Sequence, residues 1–308
     1  MKALLIGCGN IGALYDIDTD EVKTHAKALS FLPDISVTVF DEDAEQAKRV
    51  ALKYNYGIID YAEKIRIADF DLVIIASPTA THYEWLVRCF NEKAKLVICE
   101  KPLSVSETEL KELEATYKDA DTKVVVNYIR RFQPSYKGLK KLIEEEEIMP
   151  VQIVVKYQRG LINNFSHAAD LLEFFFGGGE FTNVHVIASA FDEFESDPTV
   201  SFTGNFKEIP LIACGLANVK YSYFEIEIFY PDKKISIFNS GDNITVKAAK
   251  NAAGFYPQLT ELLTDESGIL KNYMQYVYES ILDIAHGKTY DNFMSSLIMG
   301  QQILKLIN

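Results

Sequence analysis

The chain has 308 residues, 48% of them apolar, and a net charge of −13. That is long enough for two domains of ordinary size, with ample material for a core. The acidity argues against a nucleic-acid backbone or an anionic lipid surface as partner, while a small ligand in a locally basic site stays open. The opening "MKALLIGCGN" holds an apolar run too short for a signal peptide, and no stretch reaches the ~20 apolar residues of a membrane span. Cys8, Cys89, Cys99 and Cys214 lack metal-site spacing and sit in apolar company, as in a reduced cytoplasmic protein. No metal is expected.

In chain order, the first ~125 residues alternate short apolar runs with longer amphipathic ones. "KALLIG", "SVTVFD", "DLVIIAS", "KLVICE" and "KVVVNY" are continuous and rich in β-branched residues, as strands buried on both faces are. "DAEQAKRVALKY", "THYEWLVRCFNE" and "SETELKELEATYKD" between them carry helical periodicity. This alternation predicts right-handed crossovers and an open doubly wound parallel sheet. From ~150 the pattern changes. "VQIVVKYQ", "TNVHVIASAF", "TVSFTGNF", "IPLIACGLA", "YSYFEIEIFY", "KISIFN" and "NITVKAA" follow one another across Gly, Asp, Asn or Pro, which predicts a mainly antiparallel sheet. One helical segment, "FSHAADLLEFFFG", interrupts it, and helical patterns at about 269–286 and 291–306 close the chain. The fold class is α/β: an N-terminal Rossmann sheet over 1–126, then an α+β domain with a large antiparallel sheet over 127–308. The last helices are candidates to pack back on the first domain. The two domains are expected to share a ligand cleft.

"LIGCGNIG" places Gly7-x-Gly9-x-x-Gly12 directly after the first strand, a spacing that is weak alone and informative in this context. The first Gly makes the turn, the second lets a diphosphate approach, the third lets helix and strand pack, and the helix start (Asn10, Ile11) offers N–H groups to phosphate. Asp41 ends the second strand, where an acid accepts hydrogen bonds from ribose hydroxyls and repels a 2′-phosphate. Glu42 and Asp43 add to that charge, so NAD is preferred over NADP. Asp41 follows Gly12 by 29 positions rather than the usual ~20, a surplus assigned to the acidic insert "YDIDTDEVKT". The insert reads as a longer loop or delayed helix, or as a border of the cofactor cleft. Ser77, Pro78 and Thr79 end the fourth strand on the ligand edge. His82 opens the next helix, as a cofactor contact or as a capping or packing residue.

The order of GxGxxG, the acid after the second strand, "SPTATH", "EKPLS" and "NYIRRFQPSY" resembles the Gfo/Idh/MocA family of nicotinamide-dependent oxidoreductases. The likeness covers most of the first 175 residues and is architectural beyond ~180. It implies hydride transfer to or from a hydroxyl or ketone of a sugar, cyclitol or nucleotide-linked sugar. Carried onto this chain, Glu100 orders the site, Lys101 points at the reacting oxygen, and Pro102 fixes the turn, with a cis bond one way to do so. A cation there stabilises alkoxide character, and a lysine of lowered pKa can also move the proton. His167 matches the histidine of the family's Asp-x-x-x-His and is the acid/base candidate. Asn163 stands where the family has Asp, and an amide orients an imidazole without raising its basicity. Asp170, one turn on, either supplies the missing carboxylate or is a surface acid. Arg131 matches an Arg-Phe pair lining the cofactor cleft. Tyr128, Asn163 and Asn164 are candidate substrate contacts, with Tyr157 and Arg159 weaker ones. The resemblance also implies a homodimer or homotetramer. The departure at Asn163 supports a second reading, an NAD(P)-binding sensor or scaffold without turnover.

Overall fold

The computed structural model describes residues 1–251 and 256–307. The strands are β1 Lys2–Ile6, β2 Ser36–Phe40, β3 Gly57–Ile58, β4 Leu72–Ile75, β5 Leu96–Cys99, β6 Lys123–Val126, β7 Gln152–Tyr157, β8 Phe181–Ala190, β9 Thr199–Phe206, β10 Ile209–Gly215, β11 Phe224–Phe229, β12 Lys233–Phe238, β13 Asn243–Lys250 and β14 Gln258–Asp265. The helices are α1 His25–Ser30, α2 Ala44–Tyr54, α3 His82–Asn91, α4 Glu107–Tyr117, α5 Pro134–Glu144, α6 Ser166–Phe176, α7 Tyr273–Ala285 and α8 Phe293–Lys305. The chain divides into two compact units, Met1–Phe132 with Lys271–Gly300, and Gln133–Leu270 with Gln301–Asn308. Among the described residues no helix is long and apolar enough to cross a membrane.

The first unit holds a six-stranded parallel sheet in the order β3-β2-β1-β4-β5-β6. The β1, β4 and β5 apolar runs are buried on both faces, because helices cover both sides of the sheet. Register carries the functional consequence. Ile6 pairs with Phe40 and Ile75, Ile75 with Cys99, and Cys99 with Val126. Gly7, Asp41, Ala76, Glu100 and Asn127 are therefore the next residues along a single edge. Backbone bonds continue the ladder by one step: Gly7 N–H to Phe40, Ala76 to Ile6, Glu100 to Ile75 and Asn127 to Cys99.

The insert delays the first helix. After a short turn of π-helix over Asn10–Leu14 the chain makes turns, and α1 begins only at His25. Asp16, fully buried, accepts from the Thr24 N–H (2.8 Å) and hydroxyl (2.7 Å) and from the Lys23 N–H, so the acid of the insert fixes where the helix starts. Thr24 then caps α1 by accepting from the Lys27 N–H. α7 closes this unit against α1, with the Asn272 side chain accepting from the Val22 N–H. Asn292 completes the open edge of β6 with two bonds of 2.9 Å to the Val126 backbone.

The second unit is an eight-stranded sheet, β14-β13-β12-β11-β7-β10-β9-β8, antiparallel except between β7 and β10. β7 and β11 alternate buried and half-buried residues, so one face is core. Phe165 leads into α6 over that face, its ring 5.2 Å from Tyr157 and 5.3 Å from Phe202. The other face carries ion pairs of Lys156 with Glu225 and Glu227, and of Lys234 with Glu227. Two strands lie at the sheet ends, β8 and β14, and both are mostly exposed. α6 buries Leu171, Leu172, Phe174 and Phe175, while Phe176 is half-exposed.

Candidate active site

The glycine loop is shaped by what a side chain would hit. Gly7 has φ +95°, and a Cβ there would run into the Ala76–Ser77 peptide. A Cβ on Gly12 would collide with the Gly7 carbonyl oxygen. Gly9 differs: its missing Cβ faces open space. That space is a cavity of about 520 Å³ at the carboxyl edge of the sheet, in the size range of ligand pockets. Gly7, Gly9, Asn10, Ile11, Asp41, Ser77 and Pro78 line it, as the sequence places them. The cradle and its size fit a dinucleotide.

Asp41 reaches back to the loop it serves. One carboxylate oxygen accepts from the Cys8 N–H at 2.6 Å and the other from the Asp43 N–H at 2.8 Å. Oδ2 also accepts from the Gln46 side-chain amide at 3.4 Å, and Oδ1 keeps lone-pair capacity for a hydroxyl. Glu42 and Asp43 also line the cavity, and among the described residues no lysine or arginine does. Burial, then the neighbouring Asp41, pushes the Cys8 thiol up to about 12, so it stays an inert packing group. Tyr15, from the insert, borders the cavity, so the insert is both a delayed helix and a cleft wall. Trp85 and Phe40, edge to face at 5.8 Å, form an apolar wall that motif reading missed; the signal was an aromatic one turn after His82.

His82 does not line this cavity. Its ring is buried, Nδ1 2.8 Å from the Pro102 carbonyl and Nε2 2.8 Å from the Ser77 carbonyl. It ties the β4 edge to the Glu-Lys-Pro corner. Thr79 likewise lies outside the lining, in the turn that leads into α3. Glu100 points inward, where Oε1 accepts from His25 Nε2 (3.0 Å) and Asn127 Nδ2 (2.6 Å). Burial alone would raise its pKa, but the bond and charge of His25, the Asn127 bond and the Lys101 charge outweigh it, and the carboxyl is held below its ordinary range. The Lys101–Pro102 peptide is cis. Lys101 is half-buried, directly after Glu100 on the ligand edge. Tyr128, Arg130 and Arg131 are buried where the chain leaves β6.

In the second unit, His167 is the second residue of α6, as its pattern predicts, and it is half-exposed. The turn before it, Leu161–Phe165, is anchored by Asp197, which accepts from the Ile162 N–H at 2.8 Å and the Asn163 N–H at 2.7 Å. Sequence reasoning did not find Asp197. The side chains of Asn163 and Asn164 donate to the carbonyls of Arg159 (3.2 Å) and Gln158 (2.8 Å). Asp170 is buried, which removes the surface-acid reading. Tyr157 is buried too, its hydroxyl bonded to the Val200 backbone, and Arg159 pairs with Glu193.

A parallel six-stranded sheet in this order, with a glycine cradle opening into a cavity at its carboxyl edge, defines a dinucleotide-binding domain. Residues 1–128 match the Gfo/Idh/MocA family model described as "Oxidoreductase family, NAD-binding Rossmann fold". The inositol 2-dehydrogenase of Rhizobium meliloti (strain 1021) is 32% identical over 153 residues, 49% of this chain and 42% of that protein. The chain thus spans about two fifths of the length of the curated relatives it matches. Likeness to solved structures covers the whole fold. A UDP-N-acetylglucosamine 3-dehydrogenase from Acidithiobacillus ferrooxidans superposes with TM-score 0.75 at 16% identity, over 99% of this chain and 95% of the other. A super-repressor mutant of Gal80p from Saccharomyces cerevisiae gives TM-score 0.77 at 15% identity, over 100% and 95%.

Proposed function

We propose that this protein is an NAD-dependent oxidoreductase acting on a hydroxyl or ketone of a sugar, cyclitol or nucleotide-linked sugar. The observation that carries the reading is the adjacency, on one sheet edge, of an open glycine cradle and a Glu-Lys-Pro corner whose lysine follows a buried carboxylate. The relatives named inositol 2-dehydrogenase support the substrate class. The acidic lining supports NAD, since a 2′-phosphate would face Asp41, Glu42 and Asp43 with no cation among the described lining residues.

A bound nicotinamide would supply or accept the hydride. The loop at Gly9 and the N–H groups following it hold the diphosphate, and Asp41 accepts from the ribose. Lys101 donates to the substrate oxygen and stabilises its negative charge as the carbon loses or gains hydride. His167 is assigned the proton, with Tyr128, Asn163 and Asn164 as hydroxyl contacts, on their match to the family pattern. Arg131, Glu100 and His82 are assigned to shaping the cofactor side. The sheet face that carries Lys156 and Glu227 is a candidate contact for a second copy, as a homodimer or homotetramer. A cytoplasmic setting suits four cysteines that are all free.

The fold is shared by a dehydrogenase and a repressor, so the fold does not choose between turnover and sensing; the lysine of the Glu-Lys-Pro corner supports turnover. The test follows absorbance of the reduced nicotinamide with myo-inositol, UDP-N-acetylglucosamine and their ketones. Turnover with one of them is expected, and Lys101→Ala should cut it by about 10²–10⁴-fold while NADH still binds. NADH binding without turnover on any of these would favour the sensor.

A further inference from the structure

The cavity wall beside Asp41 is aromatic, and it is braced from behind. Trp85, the single tryptophan of the chain, lies on α3 one turn after His82 and borders the cavity, half-buried. Its ring meets Phe40 edge to face, with centroids 5.8 Å apart, and Phe40 is the residue before Asp41. The Arg88 guanidinium lies over the indole, 5.3 Å from the ring centroid. Arg88 does not line the cavity, and all three of its guanidinium nitrogens are already engaged. Nε donates to Glu92 at 2.7 Å, one terminal nitrogen to the Ala62 carbonyl at 3.0 Å and the other to the Ile65 carbonyl. Glu92 in turn accepts from the Ile67 N–H at 2.8 Å. The indole is thus held on two sides, by Phe40 and by Arg88, and the surface left over borders the cavity.

We propose that Trp85 is the platform on which the purine base of the dinucleotide stacks. The inference rests on the reading of the cavity as a dinucleotide site and assigns the group at its other end. The chemistry of the lining changes in the order that such a ligand does. Gly9 opens the part that suits a diphosphate, Asp41 offers carboxylate oxygen to sugar hydroxyls, and the ring beside Phe40 offers a flat apolar surface. What a nucleotide carries beyond its sugar is a planar base, and base faces stack on aromatic rings. An aliphatic side chain at position 85 would supply area without a π face. Because the indole is already held, stacking on it orders no free side chain. Arg88 is not an alternative anion site, since Glu92 neutralises its charge and it stands outside the lining.

The test uses the full-length protein and needs no turnover. ADP-ribose carries the base, the diphosphate and the sugars without nicotinamide, and nicotinamide mononucleotide carries no purine. Tryptophan emission, excited where adenine does not absorb, reports on position 85 alone. Saturating ADP-ribose should quench it, and nicotinamide mononucleotide should leave it unchanged. In calorimetry, Trp85→Leu should weaken ADP-ribose binding about tenfold or more, while Trp85→Phe, which keeps a ring, should stay within about threefold of wild type. Emission unmoved by bound ADP-ribose, or moved as much by nicotinamide mononucleotide, overturns the proposal. A folded Trp85→Leu that binds ADP-ribose like wild type overturns it too, and the emission experiment decides if that variant does not fold. If NADH binds while these effects are missing, the platform is wrong and the dinucleotide reading stands. If wild type binds neither NADH nor ADP-ribose, both fall.

Discussion

The two candidate regions are held by different physics. On the first unit's sheet edge, position follows from strand register: once Ile6, Phe40, Ile75, Cys99 and Val126 are paired, their successors are aligned. In the second unit the turn before His167 has no ladder to place it. Buried Asp197 collects two of its N–H groups from a distant part of the chain, and the next two residues, Pro198 and Thr199, accept from Leu161 and Gly160. Register is distributed over many bonds and tolerates single changes on exposed groups, whereas an anchor concentrated in three consecutive residues is more sensitive to them.

The largest expected effect sharpens this contrast inside the glycine loop. Gly12→Ala forces a methyl group onto the Gly7 carbonyl and should cost several kcal/mol, on the order of overpacking a tight core, read as lost soluble protein or a collapsed melting transition. Gly9→Ala meets open space and should fold normally, yet lose NADH binding in a fluorescence titration. Equal behaviour of the two variants would mean that the loop cradles nothing. Next in size, Asp197→Ala leaves the Ile162 and Asn163 N–H groups without their acceptor, at about 1–3 kcal/mol in urea denaturation. A midpoint unchanged from wild type would remove the anchor from the account.

Asp41→Ala tests the other end of the cavity. NAD affinity should fall about tenfold as hydrogen bonds to the ribose are lost, and discrimination against NADP should narrow. An unmoved preference would reassign the ribose site. The smallest effect is in acid. Glu100 titrates below the ordinary glutamate value of 4.5 in the folded state, so the unfolded chain takes up its proton first as pH falls. The stability this carboxylate contributes is fully present above about 4.5 and is lost as pH drops through the folded value. Glu100→Gln should flatten that part of the acid-unfolding curve, and a slope identical to wild type would contradict the assignment.

Much of the first unit was legible because its signals are local. A continuous apolar run, a glycine spacing and an acid at a strand end lie within a few residues of what they determine. The Glu-Lys-Pro corner was legible as a motif, but its support was not. His25 is separated from Glu100 by 75 positions and from Tyr278 by 253, and neither stands in a pattern that marks it as a partner of a carboxylate. Asp197 lies 34 positions from Asn163, two residues before β9, where an acid reads as a turn residue. His82 shows the converse: its place in a recognisable motif suggested the cofactor, while its ring serves two backbone carbonyls. Period and motif predict which element a residue sits on, and buried polar partners follow only from the packed fold.

The most direct test of the central claim is isotopic. Purified protein is given NADH carrying deuterium at C4 of the nicotinamide, together with the ketones of inositol and of UDP-N-acetylglucosamine, and the product alcohol is analysed by mass spectrometry and NMR. The account predicts one deuterium on the carbinol carbon with wild type and a loss of that label with Lys101→Ala at saturating cofactor. Bound NADH with no deuterium delivered to any of these ketones, or full delivery without Lys101, would contradict it.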